Sequence, residues 1–110
     1  MKKFLVNAFS LQMISNVTTA TQVICTSPAT TEEVAALAQS GELVSAVGHP
    51  DTAAVLSTML GAPVECKRVN VTLNSDDVLY VAQVLGGRLP EGATTLPEGF
   101  RMAFIRVSLQ

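Results

Sequence analysis

The chain has 110 residues, 48% of them hydrophobic and 15% charged, enough for one apolar core and too few for two domains. Its net charge of −2 excludes a long polyanion such as duplex DNA as partner, because no broad basic face is available. The two cysteines form no C-x-x-C pair and the single histidine has no second ligand beside it, which excludes a zinc site and a disulfide framework.

In chain order, Lys3–Ala8 reads as a first strand that enters the core at once, and Phe9–Ile14 as a turn or short helical segment. The opening MKKFLVNAFSLQMI imitates a signal peptide, but Asn7, Ser10 and Gln12 interrupt its apolar region. No apolar run of about 18 residues exists to span a bilayer, so the expectation is a cytoplasmic protein with no membrane partner. Thr18–Thr26 has the β-branched content of a second strand. Thr30 with Glu33 forms a capping box for a helix through Val34, Ala35, Leu37 and Ala38 that ends near Gly41.

Leu43–Gly61 (LVSAVGHPDTAAVLSTMLG) is the stretch around which the chain is organised. Leu43–Val47 predicts a short buried strand, because apolar and small residues run without polar alternation. Gly48 lets the backbone turn. Pro50 suits a first helical position, Asp51 puts negative charge in the first turn, and the helical spacing continues until Gly61 stops it. His49 therefore falls at a strand-to-helix junction, where open α/β sheets bind ligands beside backbone N–H groups that favour anions.

Val64–Leu73 predicts a strand with one wet face, Asn74–Asp77 a turn, and Val78–Leu85 the strongest strand, forming a hairpin with Val69–Leu73. Gln83 is the one polar residue inside it. Gly86–Gly92 (GGRLPEG) follows as a tight loop whose glycines permit close backbone approach to a ligand, with Arg88 and Glu91 facing one cleft or pairing at the surface. Thr94–Gly99 continues the loop, and Phe100–Leu109 closes the chain as a final strand. Five of the seven basic residues (Lys67, Arg68, Arg88, Arg101 and Arg106) come after residue 66, which leaves room for a local anion pocket. Taken alone, Asn7 and Ser10 fit local backbone capping and Lys67–Arg68 fit solvated edge charges. Cys25 and Cys66 read as buried free thiols.

A G-x-S-x-G elbow, a P-loop and a G-x-G-x-x-G turn are all missing, and metal-assisted hydrolysis lacks ligands. One imidazole, several arginines and a carboxylate remain. They suffice for metal-free RNA cleavage, in which a ribose 2′-hydroxyl attacks its own phosphate and a general acid speeds departure of the 5′-oxygen by roughly 10²–10⁴-fold.

Leu5–Met13 (LVNAFSLQM), Ser45–His49 (SAVGH), Lys67-Arg68-Val69 and Arg88–Gly92 (RLPEG) stand in order along nearly the whole chain. With these four motifs it resembles the viral anti-CRISPR ring nucleases that act against type III systems. The resemblance implies one α/β domain over residues 1–110, a mixed sheet of about five strands flanked by helices, working as a homodimer without cofactor or metal. The implied partner is cyclic tetra-adenylate, the messenger that switches on type III effector nucleases. His49 would be the general acid, Arg88 and Glu91 would line the catalytic pocket, and Ser10 would contact the reacting ribose or phosphate. Asn7, Arg68, Gln83 and the Gly48 backbone would hold the ring. Pro50 directly after the histidine and Gly86-Gly87 before Arg88 depart from the family's pattern. Two other classes compete: a sponge that binds the nucleotide without cutting it, and a viral regulatory or structural dimer with no nucleotide ligand.

Overall fold

The apolar run after Lys2 forms β1 (Lys3–Val6), an interior strand of a five-stranded mixed sheet in a computed structural model of residues 1–110. The other strands are β2 (Ile24–Ala29), β3 (Leu43–Ser45), β4 (Val78–Leu85) and β5 (Arg101–Leu109), in the sheet order β2-β5-β4-β1-β3. β1 pairs in parallel with both β3 and β4, whereas β5 is antiparallel to β4 and to β2. The two helices are α1 (Thr31–Gln39) and α2 (Pro50–Leu60). The fold is a single small α/β domain, as expected.

Period-two alternation divides the sheet into two faces. Leu5, Tyr80, Ala82, Met102 and Phe104 pack with Val34 of α1 and Ala53, Val55, Leu56 and Leu60 of α2. Leu56 and Leu60 are fully buried there, each contributing about 1.5–3 kcal/mol by leaving water. The opposite face presents Val6, Leu79, Val81 and Val107, and Phe9, Val71 and Leu73 from irregular chain, with Met13 from a short helical turn, cover it.

Both helices begin and end where their caps dictate. The Thr30 hydroxyl accepts the Glu33 N–H at 3.1 Å, and Gly61, at φ +67°, closes α2 in the left-handed conformation that glycine adopts freely. On the helix face, Arg106 of β5 is tied to Glu33 of α1, donates to the Ser27 hydroxyl at 3.2 Å and lies over the Tyr80 ring. The hydrogen bond to the Glu33 carboxylate raises the guanidinium pKa above its ordinary value. This cluster fixes α1 across three strands. At the turn before β4, the buried Asp77 accepts N–H bonds from Lys2 at 3.0 Å and Asn74 at 3.1 Å. The Lys2 bond is the main reason its carboxyl sits below the usual range.

Four expectations need correction. Thr18 and Thr19 belong to a local turn around Asn16 (φ +62°), so β2 starts only at Ile24 and runs through Pro28. An edge strand tolerates that proline because one of its sides needs no donor. β3 is an edge strand of three residues with Val44 48% exposed, not a buried strand through Val47. Val64–Leu73 is neither a strand nor half of a hairpin, since β1 and β5 occupy both sides of β4. The segment instead crosses from one face to the other, touching the sheet region at the Val47–Cys66 and Ile14–Leu73 bridges. The two thiols are free but not buried: Cys25 is partly exposed and Cys66 exposed.

Candidate functional site

β1, β3 and β4 run in one direction, so their carboxyl ends meet at one edge of the sheet, the position at which α/β sheets receive ligands. There a cavity of about 320 Å³ is lined by Asn7, His49, Thr52, Ala82, Gln83, Val84, Gly87, Arg88 and Leu89. Its lining contains an arginine and a histidine but no carboxylate. The N-terminus of α2 adds backbone dipoles of the same sign. The cavity is therefore suited to an anion.

His49 is the N-cap of α2. Its Nδ1 accepts the Thr52 N–H at 3.4 Å, with the Thr52 hydroxyl 3.5 Å away. An Nδ1 that accepts leaves the proton of the neutral ring on Nε2, so Nε2 is the nitrogen not engaged by the helix; in the imidazolium both nitrogens donate, and Nδ1–H has the Thr52 hydroxyl as its acceptor. Ser, Thr, Asp and Asn are the usual N-caps, and Pro50 at the first helical position is the sequence signal that puts an imidazole in this place instead. The turn bearing His49 is held on both sides of Gly48. Its N–H donates to Asn7 Oδ1 at 3.1 Å, and its carbonyl accepts from Arg68 Nε at 2.8 Å. Any Cβ at Gly48 would stand 3.2 Å from the Arg68 side chain. Asn7 and Arg68 thus act first on the backbone that positions the histidine.

Arg88 forms no salt bridge or hydrogen bond with the rest of the chain, so its guanidinium is available to a ligand. Among the other late basic residues, Lys67 pairs with Glu65 at 3.2 Å, Arg68 holds Gly48 and Arg106 holds Glu33. Gln83 lines this cavity and a second one of about 400 Å³ on the opposite face, shared with Asn7, Phe9, Thr26, Val81 and Ile105. Of the remaining residues implied by the resemblance, Glu91 is exposed and does not line the His49 cavity. Ser10 lies apart as well, its hydroxyl accepting the Gln12 N–H at 3.3 Å at the start of the short helical turn Leu11–Met13. The structure brings together His49, Arg88, Asn7 and Gln83, with Gly48 and Arg68 behind the histidine, and leaves Ser10 and Glu91 outside. The chain places no group of three or more His, Cys, Asp or Glu side chains where they could hold a metal ion. No helix is long and apolar enough to cross a membrane.

A family model described as STIV B116-like matches residues 3–106. B116 of Sulfolobus turreted icosahedral virus has a similar solved structure, with a TM-score of 0.78 and 26% identity over 98% of this chain and 99% of that one. Curated protein sequences yield no match.

Proposed function

The chain belongs to the STIV B116-like family, and from that premise, with the His49–Arg88 cavity, we propose that it is a metal-independent ring nuclease acting on cyclic tetra-adenylate. By removing that messenger it silences type III CRISPR signalling, the work of an anti-CRISPR protein. The observation that carries the reading is one cavity holding an anchored imidazole and an unpaired arginine, with no carboxylate to repel a phosphate.

In this mechanism the Arg88 guanidinium hydrogen-bonds the non-bridging oxygens of the scissile phosphate, and the positive end of the α2 dipole favours the charge there. A ribose 2′-oxygen bonds to phosphorus in line while the bond to the 5′-oxygen breaks. The 2′-hydroxyl proton goes to solvent, and the departing 5′-oxygen takes the Nε2 proton of a His49 imidazolium, which is left as the neutral ring with its Nδ1 proton directed at the Thr52 hydroxyl. Two such cuts turn the ring into linear di-adenylate ending in a 2′,3′-cyclic phosphate. A cavity of about 320 Å³ lies at the lower end of the range for small-molecule sites and does not enclose four nucleotides. A two-fold homodimer supplies two such cavities, and a cyclic tetranucleotide has matching symmetry, so the two His49 residues address opposite phosphates. Ser10 and Glu91 then act from outside the single-protomer cavity.

Glu91 standing off the cavity favours a second reading, a sponge that holds the ring uncut. The test is to mix the chain with cyclic tetra-adenylate in excess EDTA, following melting temperature and product together. Ring nuclease activity predicts a ligand-dependent rise in melting temperature at early times, because a ligand of the native state stabilises it, followed by loss of intact ring. A lasting rise with the ring intact supports the sponge. Cleavage abolished by EDTA and restored by a divalent ion overturns the metal-free mechanism, and no rise and no cleavage overturn both readings.

A further inference from the structure

Arg88 acts on a phosphate only if its loop, Gly86–Gly99, holds it beside His49. The ends of that loop are pinched together, since a Cβ on Gly86 (φ +111°) would stand 2.8 Å from the Gly99 carbonyl. Leu89, Ala93 and Leu96 pack against the helix-side core. Apolar packing is non-directional and sets no orientation by itself. The backbone bonds formed by the loop, Ala93 N–H to Pro90 and Phe100 N–H to Pro97, are both local. One hydrogen bond joins the loop to the rest of the molecule: Gly92 N–H donates to Asp51 Oδ1 at 3.2 Å, across 41 residues of sequence.

Asp51 stands in the first turn of α2, two residues after His49, so this bond couples the turn that carries Arg88 and Glu91 to the helix that carries the acid. We propose that Asp51 is a positioning residue that clasps the Arg88–Gly92 turn onto the start of α2 and so sets Arg88 beside His49. Its activity arm rests on the ring-nuclease reading, while its structural arm does not.

Asp51→Ala removes the acceptor, and Asp51→Asn removes the charge but keeps an acceptor oxygen. The measurements are hydrogen exchange of the Gly92 amide, single-turnover opening of cyclic tetra-adenylate, and the pH–rate profile. The clasp predicts that Asp51→Ala speeds Gly92 exchange and slows ring opening, each by about tenfold, the equivalent of one directional hydrogen bond. It predicts near wild-type values for Asp51→Asn and a pH–rate profile of unchanged shape in both. Unchanged Gly92 exchange in Asp51→Ala overturns the clasp. Equal losses in the two variants with a displaced pH profile also overturn it, since they assign the effect to carboxylate charge near His49. If wild-type protein does not open the ring, the functional reading falls, and Gly92 exchange alone decides whether Asp51 orders the loop.

Discussion

Replacing His49 by alanine slows ring opening by roughly 10²–10⁴-fold, the usual contribution of a positioned general acid, while equilibrium binding of cyclic tetra-adenylate stays close to that of the wild type. The 5′-alkoxide is a poor leaving group and needs a proton as it departs, and an imidazole is the side-chain type in this cavity that exchanges protons near neutral pH. Binding rests on Arg88, Asn7, Gln83 and the positive end of the α2 dipole, all of which the substitution leaves in place. Because His49 also caps α2, alanine removes that cap together with the acid, and the rate must be separated from the loss of stability. His49→Asn makes the separation, since asparagine is among the best N-caps yet has no proton to give at neutral pH. Single-turnover rates should fall alike in both variants. Recovery of the rate in His49→Asn would reduce the histidine to a helix cap, and lost binding with native stability would make it a ligand contact.

Arg88→Lys should lower the single-turnover rate by about 10- to 100-fold, the range that loss of one or two charge-assisted hydrogen bonds gives. The planar guanidinium meets two phosphate oxygens at once, and lysine presents a single compact charge that does not reproduce the pair. Arg88 is exposed and has no intrachain partner, so thermal stability should not change beyond the small effect of a surface substitution. That contrast is the useful control. A wild-type rate in Arg88→Lys would return the residue to the role of a surface charge.

The parts of the fold legible in the sequence are those set by local rules. Thr30 with Glu33 marked the start of α1, Pro50 and Gly61 bounded α2, and the apolar runs at Val78–Leu85 and after Phe100 became β4 and β5. The errors fell where tertiary context overrides propensity. Val64–Leu73 has the alternation of a strand, but the sheet leaves no free side of β4 for it, so it crosses between faces. The site divides in the same way. The Gly-His-Pro step at a strand end and the Gly-flanked arginine were visible as local signals, and the parallel strands place both on one cavity. Invisible beforehand were the bonds from Asn7 and Arg68 to Gly48, and from Gly92 to Asp51, which join residues 41, 20 and 41 positions apart. No periodicity reports such pairs, because they depend on where the strands end in space.

The most direct test of the central claim is the chemistry of the ends that the reaction creates. Attack by a 2′-hydroxyl leaves a 2′,3′-cyclic phosphate and a free 5′-hydroxyl, whereas attack by water or a metal-bound hydroxide leaves an open phosphomonoester. Phosphorus NMR of cyclic tetra-adenylate incubated with the wild-type chain in EDTA distinguishes these end groups without a label or a coupled enzyme. Attack by the 2′-hydroxyl predicts a cyclic phosphate resonance growing as the ring signal falls, with no phosphomonoester at early times. An open phosphomonoester as the first product, or a ring signal that persists unchanged at protein excess, would contradict it.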